Sequence, residues 1–225
     1  MMNEENNKNR LNIHPEQLWN SMGMIQQAVM ATVLLAVYTT IYFIVQRSYV
    51  EHPALVNWLD ALHKLFSSNA ILKDVALGVA AGFVMVLITA VFDILIAVIQ
   101  KQNISEWIHR TDHLLPETTV QKRWALSISL VGSTIEEIMF RGFIFIALMN
   151  VWGHWIWASL IISAVFSLLH AGVQDFWSTV WIFIISMVLC AIIAMGGSIY
   201  MVVIIHIMIN LSNLFILPLL FSKKK

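Results

Sequence analysis

Charge is scarce in this sequence. Asp, Glu, Lys and Arg make up 12% of its 225 residues, against about 25% in a soluble domain, while 59% are hydrophobic. That balance leaves too little polar surface to face water on all sides and excludes an ordinary soluble domain. Net charge is missing as well. Thirteen basic and thirteen acidic side chains cancel, so no basic field is available to gather nucleic acid. The single cysteine, Cys190, excludes an intrachain disulfide and a multi-cysteine metal site. No secretory leader is evident, because residues 1–20 are polar and the first apolar run is long enough to stay as a span.

Long apolar runs are what the chain has in abundance. A transmembrane helix takes about 20 mostly apolar residues at about 1.5 Å each. Six stretches qualify: Met24–Val45, Val75–Ile99, Trp124–Met149, Trp155–His170, Phe176–Met195 and Ile199–Phe221. The fourth is short, and only a Gly196-Gly197-Ser198 turn separates the fifth from the sixth. The expected fold is therefore all-α, a polytopic transmembrane helical bundle of about six spans. The chain divides into a polar arm over 1–20, a membrane region with two spans over 21–123, a membrane core over 124–221 and a basic tail over 222–225. In Ala54–Phe66, Leu55, Leu59, Leu62 and Phe66 share one helical face, which suits a helix lying flat in the interface. Ile104–Leu115 reads the same way, and plain connecting loops are the alternative for both.

Orientation follows from Lys and Arg outside the spans. With the N-terminus inside, the cytoplasmic segments hold nine: Lys8, Arg10, Lys101, Arg110, Lys122, Arg123 and Lys223 to Lys225. The opposite segments hold three, Arg47, Lys64 and Lys73. Both termini are thus expected in the cytoplasm. Trp152, Trp155, Trp157, Trp177 and Trp181 gather near span ends, as an aromatic belt does.

Several residues do not belong in hydrocarbon. The third span reads STIEEIMFRGFIFIALM, with Glu136, Glu137 and Arg141 in its interior. Each ionisable group at mid-bilayer costs about 2.5–3.5 kcal/mol on insertion scales. Left alone, the three would cost on the order of 8–10 kcal/mol, comparable to a whole protein's stability. They must pair, neutralise or line a wet cavity. Glu137 and Arg141 are four apart and stack as an ion pair on one face. Glu136 points about 100° away, which leaves its carboxylate to another partner. A buried network that only fixes helix packing is the other reading, and it suits Glu137 and Arg141 better than Glu136.

The fourth span ends in SAVFSLLH, with Phe166 one turn before His170. The sixth contains HIMIN, which stacks His206 and Asn210 on one face. Each alone could be an interfacial residue or interhelical glue. Together the three spans supply a carboxylate, two imidazoles and a carboxamide, with little other polar material to pair them. Peptide hydrolysis needs a base for water, a proton carrier for the leaving amine and donors for the oxyanion. Glu136 and His170 can serve as the first two, and His206 and Asn210 as the donors. Glu136, His170 and His206 would also suit zinc with a water in the fourth position. Spacing alone does not separate these mechanisms.

At these residues the sequence resembles the CAAX-protease and bacteriocin-processing family of intramembrane endopeptidases, also called the Abi family. The family pattern E-E-x-x-x-R, F-x-x-x-H, H-x-x-x-N is met by Glu136-Glu137 with Arg141, Phe166 with His170, and His206 with Asn210. The likeness extends to Gly142-Phe143 and covers about Trp124–Phe221. It implies a glutamate-dependent protease without an obligatory metal. By position, Glu136 would activate water with help from His170, His206 and Asn210 would bind the oxyanion, and Glu137 and Arg141 would support the cavity. The substrate would be a membrane-associated peptide or protein, in peptide maturation or bacteriocin self-immunity, in a bacterial plasma membrane. Some relatives act as membrane partners instead of proteases, so a non-catalytic immunity or regulatory protein is the competing expectation. A proton-coupled carrier is a third, disfavoured by the lack of an evident inverted repeat.

Three features sit awkwardly. On straight spans Glu136 lies about 18 Å deep, His170 near the inner end of its span and His206 toward the outer end of its own, so tilt or shifted ends must bring them together. The cavity is expected to open to the cytoplasm. Asp93 is a further acid inside the second span without an obvious partner, and Asp175, in the loop after His170, is expected in solvent.

Overall fold

The computed structural model describes residues 70–104, 115–171 and 174–217, with the single positions 63, 64 and 107. The polar arm, the expected span Met24–Val45, the basic tail and most of both expected interfacial segments lie outside the described residues. Among the described residues the fold is all helical, with no strand. Three helices are long and apolar enough to cross a membrane: Ile71–Ile99, Phe176–Ala194 and the run Ile199–Ile216. The expected number of six is not reached among the described residues. One expected span lies outside them, one is only 16 residues long (Trp155–His170), and one carries the buried charges.

Helix α1, Ile71–Ile99, is 29 residues long, or about 44 Å, and starts four residues before its expected boundary. Leu72, Phe83, Leu87 and Val91 stand exposed along it, the surface a helix turns to lipid. The following rod, α2, is one continuous helical path of alternating winding. It runs through the α-helix Thr119–Ser127, π-helical turns Ile128–Gly132, α-helix Ser133–Glu137, π-helical turns Ile138–Phe145 and α-helix Ile146–Trp152. Its start is set by a capping box. Thr118 Oγ1 accepts from the Gln121 amide at 3.2 Å and Gln121 Oε1 accepts from the Thr118 amide at 2.9 Å. This is why α2 begins at Thr119 and not at Trp124, the first residue of the apolar run. It ends at Gly153, whose φ of 65° is the left-handed stop that glycine favours.

His154 Nδ1 then accepts from the Ile156 amide at 3.3 Å and opens α3, Trp155–His170. Asp175 is not the solvated loop acid expected from the sequence. Its carboxylate accepts from the Trp177 and Ser178 amides at 2.9 and 3.1 Å and so caps α4, Phe176–Ala194. Gly196, at φ 92°, turns the chain, and Ser198 caps α5, Ile199–Leu211, which continues as π-helical turns over Ser212–Ile216.

Helix α5 packs along α1 and against the middle of α2, α3 packs on α4, and the later half of α2 joins the two pairs. Close approach of α1 and α5 depends on Gly78 and Gly82. A Cβ at Gly78 would stand 3.0 Å from both Ile204 Cβ and the Met201 carbonyl, and one at Gly82 would stand 2.5 Å from Met208 Sδ. The core between the helices holds Met139, Phe145, Phe166, Leu189, Val202 and Ile205. Trp152 and Trp157 are exposed near helix ends, in keeping with a belt, but Trp181 turns inward. Its Nε1 donates to Thr89 Oγ1 at 3.1 Å and its ring stacks on Phe92 at 4.3 Å, tying α4 to α1. Asp93 also has a partner that the sequence did not suggest, the indole of Trp107, which donates to it at 3.1 Å.

Candidate active site

The apolar wall around the middle of α2 encloses a polar ladder. Ser133 and Glu137 are one turn apart on α2, and His206 and Asn210 one turn apart on α5. The two helices run antiparallel here, so the pairs meet in reverse order. Asn210 Nδ2 donates to Ser133 Oγ at 2.9 Å, and His206 Nδ1 donates to Glu137 Oε1 at 2.7 Å. The same Glu137 oxygen accepts from Arg141 Nη1 at 3.0 Å, with both side chains fully buried. The expected stacked ion pair is therefore present, and the ring of α5 completes it.

The angular separation of adjacent residues on a helix places Glu136 on the other edge of that ring. Its Oε2 lies 3.8 Å from His206 Nε2, so the two neighbouring glutamates flank one imidazole. Because Nδ1 carries its hydrogen toward Glu137, Nε2 is the nitrogen that can take or release a proton beside Glu136. Glu136 and His206 are each mostly buried, at 6% and 8% exposed, which keeps bulk water from screening them. The winding contributes too. Glu137 closes an α-helical stretch and Arg141 lies within the π-helical turns that follow, a kind of local rewinding that is frequent at functional sites.

His170 enters from the side, and aromatic rings carry it there. Phe166, one turn before it, is buried with Phe140 against its edge at 4.9 Å and the Arg141 guanidinium 4.5 Å from its centroid. The same ring lies 4.7 Å from the His170 ring and 6.1 Å from that of His206. Phe166 thereby links residues whose sequence depths did not match. His170 Nδ1 donates to the Phe166 carbonyl at 2.8 Å, which leaves Nε2 as its basic nitrogen. The structure thus joins Glu136, Glu137, Arg141, His206 and Asn210 in one polar cluster, with Phe166 bridging to a half-buried His170.

For zinc, the donor set does not fit. Among the described residues no group of three His, Cys, Asp or Glu side chains converges on a point that could hold a metal ion. Glu136 and His206 face one another, but His170 does not complete a three-ligand set with them.

The serines went unrecognised in the sequence, where little polar material appeared available to pair the charged groups. Ser129, Ser133, Ser159, Ser163, Ser186 and Ser212 are all buried. Three of them serve the cluster directly. Ser133 holds Asn210, and Arg141 Nη2 donates to Ser186 Oγ at 2.6 Å, which in turn donates to Ser163 Oγ at 2.8 Å. The available signal was spacing: Ser133 stands one turn before Glu137, and Ser163 two turns before His170.

No curated protein and no solved structure matches the chain. Residues 120–212 match the family model described as type II CAAX prenyl endopeptidase Rce1-like. The matched segment begins in the first turn of α2 and reaches the end of α5, so it includes every residue of the polar cluster and both Phe166 and His170. Over these residues the chain is similar to the Rce1-like CAAX-protease family.

Proposed function

We propose that the protein is an intramembrane endopeptidase that hydrolyses a peptide bond of a membrane-associated peptide or protein. In this reading Glu136 takes a proton from a water molecule as the water oxygen adds to the scissile carbonyl carbon. His206, aligned by Glu137 and carrying a proton on Nε2, and the second N–H of Asn210 donate to the resulting oxyanion. The proton then passes, with His170 Nε2 assisting, to the leaving nitrogen as the C–N bond breaks, and the products are a carboxylate and an amine. Glu137 and Arg141 hold the ring, and Phe166 sets the spacing of the two imidazoles. The reaction requires no metal.

One observation carries this reading: two adjacent glutamates clasp the two edges of one buried imidazole, inside a segment matched to a protease family. Mere packing would need only the Glu137–Arg141 pair, and Glu136 adds a second carboxylate at a site where each buried charge is costly. The setting is a bacterial plasma membrane, with both termini and the cavity mouth on the cytoplasmic side, as the Lys and Arg distribution suggests. Peptide maturation and bacteriocin self-immunity are the roles that fit such a protease. The non-catalytic alternative draws on the full burial of Glu137 and Arg141, which suits a packing network equally well.

The deciding experiment compares peptides recovered from membranes containing the native protein or its Glu136→Gln variant. The variant is expected to fold and to lose about a thousandfold in cleavage rate, with a processed peptide present only in the native sample. A processed peptide absent from both samples would overturn the protease reading and leave the packing role, and one present in both would end the assignment of Glu136 as base. A chelator is expected to leave native cleavage unchanged.

A further inference from the structure

Glu137 is held by one oxygen. Its Oε1 takes both the Arg141 and the His206 hydrogen bonds, while its Oε2 is buried with no hydrogen-bond partner. The direction in which Glu137 presents itself to His206 is therefore set by where the guanidinium lies. The fully buried Arg141 donates from Nη1 to Glu137 and from Nη2 to Ser186, its Nε has no hydrogen-bond partner, and the Cys190 thiol and the Phe166 ring lie beside the guanidinium. Ser186 Oγ, on α4, accepts that bond and donates its own hydrogen to Ser163 on α3. Every group in this chain from Ser163 to Glu137 is fully buried, so water cannot stand in for a missing link.

We infer that Ser186 is a positioning residue for the reaction, acting through Arg141 and Glu137 on the His206 imidazole, with Ser163 fixing its hydroxyl. The inference rests on the proteolytic reading above. The hydrogen-bonded line crosses four helices, from α3 through α4 and α2 to α5, and makes the docking of α3 on α4 a determinant of ring geometry in α5. Ser159 belongs to the same buried face of α3, but its hydroxyl donates to the Trp155 carbonyl of its own helix at 2.8 Å. Its loss changes packing without touching the line.

The test uses the full-length protein in detergent, with isotope-labelled histidine to read the His206 Nδ1–H signal and a cleavage assay in parallel. Ser186→Ala is expected to move that signal toward an unbonded imidazole and to lower kcat by about tenfold to a hundredfold, as small misplacements of reacting groups do, with KM unchanged. Ser186→Thr, which keeps the hydroxyl, is expected to restore both readouts, and Ser159→Ala to alter neither. A Ser186→Ala protein with the native His206 signal and native kcat overturns the inference, as does an equal loss in Ser159→Ala. Should the native protein itself show no cleavage, the protease reading fails on its own, and the His206 signal still decides whether Ser186 positions the ring.

Discussion

Helices α1 and α2 both cross the same bundle, yet they are stabilised by opposite means. Helix α1 is a regular α-helix with large apolar side chains exposed along much of its surface. It meets α5 through the bare backbone of Gly78 and Gly82, where dispersion between closely approached helices supplies the attraction. Helix α2 passes twice into π-helical turns and back and buries two carboxylates and a guanidinium. Its contact with α5 is a ladder of hydrogen bonds. Packing of the first kind tolerates small shifts, because van der Waals contact has no preferred direction. The second kind does not, since an orphaned charge in a low-dielectric interior is costly. One face of α5 is thus held close and the other is held in register. A site that must keep an imidazole between two carboxylates needs both.

The sharpest way to break this contrast is to orphan a charge in α2. Arg141→Ala leaves Glu137 buried and without its cation, and is expected to destabilise the protein by about 3–5 kcal/mol, read as a lowered unfolding midpoint in detergent. Replacing both partners, Glu137→Leu with Arg141→Met, is expected to recover most of that stability while cleavage stays absent. If the double variant is no more stable than the single one, the pair contributes attraction beyond mutual satisfaction. The corresponding perturbation in α1 is overpacking. Gly78→Leu is expected to cost about 1–3 kcal/mol, and Gly78→Ala more than Gly82→Ala. At Gly78 the new Cβ meets a backbone carbonyl, whereas at Gly82 it meets the mobile thioether of Met208. The smallest effect is expected from Ser133→Ala, about 0.6 kcal/mol for one neutral interhelical hydrogen bond in a membrane protein. A loss as large as that of Arg141→Ala would show that Asn210 is the true anchor of α5 and would reverse the roles assigned to the two rungs.

Much of this was legible in the sequence because it lives within single helices. Apolar runs longer than the hydrocarbon is thick have no stable alternative to helix, so the all-α class followed from the absence of charge. The stacking of Glu137 on Arg141, and of His206 near Asn210, is a property of helical pitch. Other features resisted for identifiable reasons. The start of α2 at Thr119 depends on a capping box that lies outside the apolar run. Asp175 looked like a loop acid because a cap is recognisable only when the helix that follows is placed. Trp181 sits near the N-terminus of α4, where a belt residue would sit, yet Thr89 and Phe92 of another helix draw it inward. The π-helical turns around Glu137 leave no mark on apolar periodicity at all.

The chain's own pattern determined that it forms membrane helices, and which few polar groups those helices carry into the interior. Tertiary structure alone decided which of these groups touch: that Glu137 takes Nδ1 of His206 while Glu136 faces Nε2, that Ser133 receives Asn210, and that Ser186 and Ser163 extend the line beyond Arg141. The physical reason is that helical periodicity sets the direction of a side chain relative to its own axis. The depth and rotation of one helix against another come from the summed packing of all of them, and no local pattern encodes that sum.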